Sequence, residues 1–339
     1  MESSCQTRGR FAPSPSGGMH LGNAWTALLA WLSARSKGGA MVLRMEDLDP
    51  DRSKERFARA ILEDTAWLGL DWDEGPDKGG PHAPYEQDKR RGYYQRCLDD
   101  LASRGLVYPC WCTRAELRGQ TAHHPAKDRV EHAHAVQAPH AGEHEPVYAG
   151  TCLRLPPDAL AARRSSGREP SLRVKAGPVR ISFTDMVLGP QSQDLALECG
   201  DFVLRRSDGV HAYQLAVVAD DAAMRVTEVV RGADLLDSTA RQIYLHRALG
   251  FTEPSFAHVP LMLDPDGRRL SKRRGDVDLG RLREEGVRPE AVVGYLAWKA
   301  GLRDSPLPVA AGELVDGFSF RPMPRGPVIV EEGWMEVAK

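Results

Sequence analysis

Arg8-Gly9-Arg10-Phe11-Ala12-Pro13-Ser14-Pro15-Ser16-Gly17-Gly18-Met19-His20-Leu21-Gly22-Asn23 is the stretch on which the fold turns. It reads as a strand start running into a Pro/Ser/Gly turn. A helix is expected from about residue 23 to 35, where Ala24, Leu28, Trp31 and Leu32 fall near helical spacing. Gly38 and Gly39 stop it. Residues 41–45 then read as a short buried strand that delivers Glu46, Asp47 and Asp49 at its C-terminal end, and a further helix is expected over roughly residues 53–68. Strand, helix, strand, helix argues for a parallel α/β sheet. In such sheets ligands bind beyond the C-terminal ends of the strands. The opening stretch itself suits anion handling. A Gly-rich turn lets a polyphosphate approach the backbone, a helix N-terminus offers free N–H groups and a positive dipole end, and His20 and Asn23 add side-chain donors.

Outward from there, residues 90–106 read as a helix, and a new segment opens at Tyr108-Pro109-Cys110-Trp111-Cys112. Residues 121–146, rich in His, Ala and Pro, read as a loop or insert. Residues 171–232 read as strand-like runs, 238–249 as a helix, 259–263 as a strand and 277–301 as helical, followed by a Pro-rich tail. Between the last strand and helix lies Arg269-Leu270-Ser271-Lys272-Arg273, after the turn Asp264-Pro265-Asp266-Gly267. A Ser-Lys pair in a loop can bring a point charge onto a phosphate as charge builds in the transition state.

The bulk properties bound the function. The 339 residues suit about two domains. A formal net charge of −2 does not advertise nucleic-acid binding, so any RNA contact must come from local basic patches. Two are visible: Arg163, Arg164 and Arg168, and Arg268, Arg269, Lys272, Arg273 and Arg274. No run approaches the ~20 apolar residues of a membrane span, and the N-terminus lacks a signal-peptide pattern. Six Cys do not make a disulfide scaffold at this length; a reducing cytoplasm and a metal site are expected instead. Cys5, Cys97 and Cys199 have no partner pattern.

The two phosphate motifs together resemble those of class I aminoacyl-tRNA synthetases: His20-Leu21-Gly22-Asn23 stands for the His-x-Gly-His element and Arg269-Leu270-Ser271-Lys272-Arg273 for the Lys-Met-Ser-Lys-Ser loop. The second departs from the pattern in its first, second and last residues, but Lys272 keeps the charge. Arg10 to Gly17, Leu43 to Asp49, Tyr213 to Asp221 and Val230 to Leu236 are similar to the glutamyl branch of that family, over about residues 8–300. The resemblance implies an α/β fold: a class I synthetase Rossmann-like parallel sheet with an inserted zinc-containing acceptor-type subdomain and a short helical stem region. The expected division is 1–105 and 201–265 for the catalytic halves, 106–200 for the insert, and 266–339 for the Ser-Lys loop, stem and tail. It implies ATP with Mg²⁺ and glutamate as substrates. His20, Gly22, Asn23, Ser271 and Lys272 would bind ATP, with His20, Asn23 and Lys272 catalytic. Arg10, Phe11, Ala12, Pro13, Ser14, Glu46, Tyr213 and Arg231 would bind glutamate, since planar guanidinium forks suit its two carboxylates and Glu46 its ammonium.

Cys110-x-Cys112 followed by Tyr148-x-x-x-Cys152 suits a structural zinc ion. This pattern resembles the metal site of the glutamyl-Q tRNA(Asp) synthetases, a truncated branch of the glutamyl family. The 35 residues between Cys112 and Tyr148 carry His123, His124, His132, His134, His140 and His144, any of which could replace Tyr148. Only 67 residues follow Lys272, so no anticodon-binding domain is expected. That branch joins glutamate to queuosine in the anticodon loop of tRNA(Asp), and the chain is expected to do so as a monomer with no membrane partner. Two other readings stay open: a shortened synthetase charging a tRNA 3′ end, and a catalytically dead zinc- and RNA-binding module.

Overall fold

β1 (Arg8–Phe11) and β2 (Ala40–Leu43) run parallel, with Arg10 opposite Val42. The computed structural model describes residues 6–113, 115–117, 147–148, 150–268, 270 and 278–334. The two strands are joined by α1 (Leu21–Arg35), which starts two residues earlier than its spacing suggested. It is buried without a break from Ala27 to Ala34. A helix apolar all round is a core helix, and α1 lies between the sheet and the C-terminal part of the chain, sharing a core with both. Each fully buried Leu or Trp there contributes about 1.5–3 kcal/mol. Trp25 also needs a polar partner, and its indole N–H donates to the Pro260 carbonyl at 2.9 Å. α2 (Glu55–Trp67) follows β2, and α3 (Arg91–Ser103) leads to the insert.

The insert is a three-stranded antiparallel sheet in the order β3 (Val107–Cys110), β4 (Ser171–Val174), β7 (Val203–Arg205), with α4 (Pro157–Arg164) exposed beside it. β5 (Arg180–Asp185), β6 (Gly189–Asp194) and α5 (Leu195–Glu198) lie between β4 and β7 in the chain. β5 nevertheless pairs with the main sheet, through Asp185 and Phe256. Strand pairing therefore crosses the boundaries expected at 106–200.

The main sheet runs β6-β5-β9-β8, where β8 is Glu228–Gly232 and β9 is Ser255–Val259. β8 and β9 are parallel. β1 lies beside β8 in the same direction: Thr227 N donates to the Arg8 carbonyl at 2.9 Å, and Arg10 Nη1 donates to the Val230 carbonyl at 2.9 Å. Residues 171–232, read as strands, also hold a helix, α6 (Tyr213–Ala223). Its run Leu215-Ala216-Val217-Val218-Ala219 is wholly buried, and periodicity does not separate a buried helix from a buried strand. α7 (Leu236–Leu249) packs with α3 and α6 in a second core.

The expected strand at 259–263 resolves into the end of β9 and a separate β10 (Met262–Leu263). The helical region at 277–301 is two helices, α8 (Leu279–Glu284) and α9 (Pro289–Lys299). Gly286, at φ +76°, breaks them in the left-handed region that favours glycine. The tail then returns: β11 (Val328–Ile329) pairs parallel with β10. No helix among the described residues is long and apolar enough to cross a membrane.

Candidate active site

Four parallel strands end on one side of the sheet, and titratable side chains gather there. Arg10 comes from β1, Glu46 follows β2, Arg231 sits on β8 and His258 on β9. All four side chains are buried. With Tyr213, at the first turn of α6, the first three lie close enough to influence one another's ionisation. Burial and the charge of Glu46 push the Tyr213 phenol up to about 12, so it keeps its proton. Burial also raises the Glu46 carboxyl, against the pull of Arg44 and Arg10.

Arg44 is wholly buried and fills the base of this cluster. It pairs with Asp221 at 2.7 Å, Glu46 at 3.2 Å and Asp220 at 3.7 Å. Burial opposes its charge, but the three carboxylates outweigh it and hold the guanidinium firmly protonated. Asp220 is further satisfied by Arg90 at 2.5 Å, Tyr94 at 2.8 Å and Gln87 at 2.9 Å. Asp221 also reaches Arg10 Nε, at 3.9 Å. Burial works against the ionised Asp221, yet Arg44 and Arg10 prevail and hold its carboxyl below the usual range. Arg10 Nε has no hydrogen-bond partner although the residue is only 4% exposed.

Arg231 is held differently. Its Nε donates to His258 Nε2 at 3.0 Å, Nη1 to Gln242 Oε1 at 2.7 Å, and Nη2 to Thr239 Oγ1 at 2.8 Å and the Leu235 carbonyl at 3.3 Å. Burial lowers its affinity for a proton. Of the other expected pocket residues, Phe11 turns its side chain into the core. Its carbonyl accepts from Arg44 N at 3.0 Å, and that of Pro13 accepts from Glu46 N at 3.0 Å, so this turn, with Ala12 and Ser14, is laced to the end of β2.

His20 is the N-cap of α1, and Asn23 Oδ1 accepts from His20 N–H at 3.1 Å. A Cβ at Gly22 would lie 3.1 Å from the His20 ring, so this glycine makes room for the imidazole. His20, Gly22 and Asn23 are all partly exposed at the helix's positive end. Ser271 and Lys272, with Arg269, Arg273 and Arg274, lie outside the described residues; both flanks of their loop are described. On entry, the turn expected at residues 264–267 forms, with Gly267 N donating to the Asp264 carbonyl at 2.9 Å, and Leu270 is buried in the core. On exit, Asp278 bridges to His20, and Leu279 N donates to the Met19 carbonyl at 2.9 Å. Asp278 and Leu279 thus sit against the N-cap of α1.

In the insert, Cys110, Cys112 and Cys152 bring their sulfurs within 4.8 Å of one another. Tyr148 Oη lies 3.3 Å from Cys110 Sγ and 3.6 Å from Cys112 Sγ, and accepts from Cys152 N at 2.8 Å. The Arg173 guanidinium stacks 4.1 Å from the Tyr148 ring centroid. Three soft donors and a phenol on one small volume fit a four-coordinate metal such as zinc. The six histidines considered as substitutes lie outside the described residues. Cys97 and Cys199 are free and buried apart from the cluster.

Residues with no role in the sequence reading stand out here: Arg44, Asp220 and Asp221, and the pair Asp185 and His258. Arg44 and the two aspartates lie inside quoted motifs. His258 offered one signal, a lone imidazole between the apolar residues Phe256, Ala257 and Val259.

Residues 6–304 match the family of class I tRNA synthetases (E and Q), catalytic domain. The chain belongs to this family of ligases. A glutamyl-Q tRNA(Asp) synthetase of Symbiobacterium thermophilum is 51% identical over 94% of this chain and 94% of its own. Glutamate--tRNA ligase 2 of Acidithiobacillus ferrooxidans is 42% identical over 94% of this chain and 63% of its own length. The crystal structure of a glutamate tRNA ligase from Elizabethkingia meningosepticum, in complex with its amino acid, superposes with a TM-score of 0.79 at 29% identity, covering 98% of this chain and 68% of that one.

Proposed function

We propose that this enzyme activates glutamate with ATP and transfers it to queuosine in the anticodon loop of tRNA(Asp). The observation that carries the amino-acid assignment is the pair of buried arginines at the strand ends. Arg231 hydrogen-bonds to uncharged acceptors, and Arg10 Nε makes no hydrogen bond. Glutamate, with two carboxylates and one ammonium, suits two such guanidinium groups and the Glu46 carboxylate. Arg10 and Arg231 receive its carboxylates, Glu46 its ammonium, and Tyr213 and the turn Phe11-Ala12-Pro13-Ser14 close the pocket. The Nε of buried Arg10, which reaches Asp221 only at 3.9 Å and makes no hydrogen bond, fits such a ligand, because buried donors are rarely left without one.

In the first step an oxygen of the α-carboxylate attacks the α-phosphorus of ATP, the bond to the bridging oxygen breaks, and pyrophosphate leaves. His20, Gly22 and Asn23 at the start of α1 and Ser271 and Lys272 on the loop position the polyphosphate and offset its charge. Mg²⁺ enters with the nucleotide and neutralises phosphate charge. In the second step a hydroxyl of the queuosine ring attacks the acyl carbon, AMP leaves, and the hydroxyl proton passes to the departing phosphate or solvent. Zinc held by Cys110, Cys112, Tyr148 and Cys152 would be structural and fix the insert. The basic end of α4, with exposed Arg164 and with Arg163 paired to Glu116 at 3.3 Å, suits phosphate contacts with RNA.

The acceptor assignment is supported by the likeness to a glutamyl-Q tRNA(Asp) synthetase, stronger and more nearly end to end than that to the glutamate--tRNA ligase. Labelled glutamate, ATP and queuosine-containing tRNA(Asp) test it, with the acceptor nucleotide mapped by nuclease digestion. Label on the queuosine nucleotide is expected; label on a 3′-terminal adenosine would establish the charging reading instead. Lys272→Ala is expected to slow glutamate-dependent pyrophosphate exchange by about 100-fold or more with the fold intact; wild-type exchange in that variant would remove Lys272 from the site.

A further inference from the structure

From the geometry around Arg231 we infer that Asp185 and His258 are positioning residues that hold its guanidinium and set this pocket's preference for a carboxylate over the corresponding amide. The inference deepens the glutamate reading and rests on it.

Arg231 and Arg44 are both buried arginines, yet their surroundings are opposite in kind. Arg44 is gripped by three carboxylates and its charge is spent inside the protein. The hydrogen-bond acceptors found on Arg231 among the described residues are all uncharged: an imidazole nitrogen, an amide oxygen, a hydroxyl and a peptide carbonyl. The cage restrains the guanidinium through neutral acceptors; burial opposes its charge and outweighs Tyr213, Asp221 and Asp234, which favour it. A carboxylate arriving in the pocket adds a charged pair in a low-dielectric site, where it is worth more than a neutral one. An amide of the same shape gains only an ordinary hydrogen bond and must also present its NH₂ group.

The cage works only if His258 accepts at Nε2, and Asp185 enforces that. The Asp185 carboxylate is 2.6 Å from His258 Nδ1. It is itself pinned by the backbone N–H groups of Val187 and Leu188 at 2.9 Å and of His258 at 3.1 Å. A carboxylate so placed accepts the Nδ1 proton and leaves Nε2 with its lone pair toward Arg231. Burial, together with the Arg231 charge, keeps the ring neutral, its pKa lowered to about 4 against the pull of Asp185. Asp185 therefore acts on Arg231 at one remove: it orders the acceptor and stays out of the ion pair. The opposite wall is ordered the same way. Gln242 Nε2 donates to Gln214 Oε1 and Gln214 Nε2 to Ser238 Oγ, each at 2.9 Å, which turns the Gln242 oxygen to Arg231.

The test uses the full chain. In Asp185→Asn the new NH₂ can donate to Nδ1, drive the proton to Nε2 and set two donors face to face. The KM for glutamate in pyrophosphate exchange is expected to rise about 10- to 100-fold, the glutamate-over-glutamine preference to fall by a similar factor, and the KM for ATP to stay within about twofold. His258→Gln, which keeps a neutral acceptor, is expected to lose less than His258→Leu, which has none. Should these variants fold poorly, ¹⁵N NMR of the wild-type histidines reads the tautomer directly, and a protonated Nε2 on His258 overturns the proposal. So does a folded Asp185→Asn with wild-type KM for glutamate, or one in which both substrates weaken alike. Failure of the glutamate reading looks different: wild-type protein would then show no glutamate-dependent exchange at all.

Discussion

Asp64 shows how a single carboxylate can work against the fold it belongs to. Its side chain is 1% exposed, its Oδ1 has no hydrogen-bond partner, and Arg283 Nη1 stands 3.4 Å away. Burial pushes its pKa up to about 6, against the attraction of Arg283. A carboxyl raised in the folded state binds its proton more tightly there than in the unfolded chain. Its contribution is therefore most favourable in acid and is lost as pH rises through about 6. Asp64→Asn removes the ionised form. The variant is expected to be about 2 kcal/mol more stable than wild type at pH 8, with the advantage shrinking toward pH 4. Denaturant melts at the two pH values measure this, and equal stabilisation at both would refute it. Residues of this kind are hard to find in a sequence. Asp220 and Asp221 stood in a quoted motif, but nothing local says that Arg44 closes on Asp221 across 177 positions. Arg10, Glu46, Tyr213 and Arg231 were singled out by family resemblance, and the structure sets them near the ends of β1, β2 and β8 and at the start of α6.

Elements were read most reliably where pattern and punctuation agreed. β1, α1 and β2 fall where the Gly-rich turn and Gly38-Gly39 placed them, within one to three residues. α6 was misread because a fully buried helix has no polar face to betray its period. The β10–β11 pair was missed because two-residue strands carry no period at all. The insert poses the element-scale question of what fixes β3 to the turn at Thr151–Arg154, which holds Cys152. Its cluster is small, with Tyr108, Cys110, Trp111, Tyr148 and Cys152 at its centre. So small a core is a poor anchor unless the thiols are joined through a metal. Elemental analysis of gently purified protein is expected to find one zinc per chain. Cys152→Ser is expected to release most of it and to speed proteolysis of the insert, with α1 and the main sheet unaffected. Protein that is fully folded and free of metal would defeat this.

For the whole molecule, the tail matters more than its Pro-rich sequence suggests. Val328 N donates to the Leu261 carbonyl and Val330 N to that of Leu263, each at 2.8 Å. Val328, Val330 and Trp334 are buried in the same core as α1, and Trp334 packs 4.8 Å from the Tyr295 ring. Removal of residues 326–339 is expected to cost about 4 kcal/mol once lost chain ordering is set against lost apolar burial. Pyrophosphate exchange should fall with it, because β10 lies just ahead in the sequence of Ser271 and Lys272, the residues proposed to position ATP. A truncated chain with wild-type melting and exchange would show the pairing to be incidental.

That pairing also has a meaning in time. β10 is made more than sixty residues before its partner strand, so a growing or broken-off chain carries it as a bare edge, open to wrong partners. β10 acquires its neighbour only when residues 328–330 arrive. A fragment that stops short of them exposes an unpaired strand and is expected to aggregate more readily than the 339-residue chain.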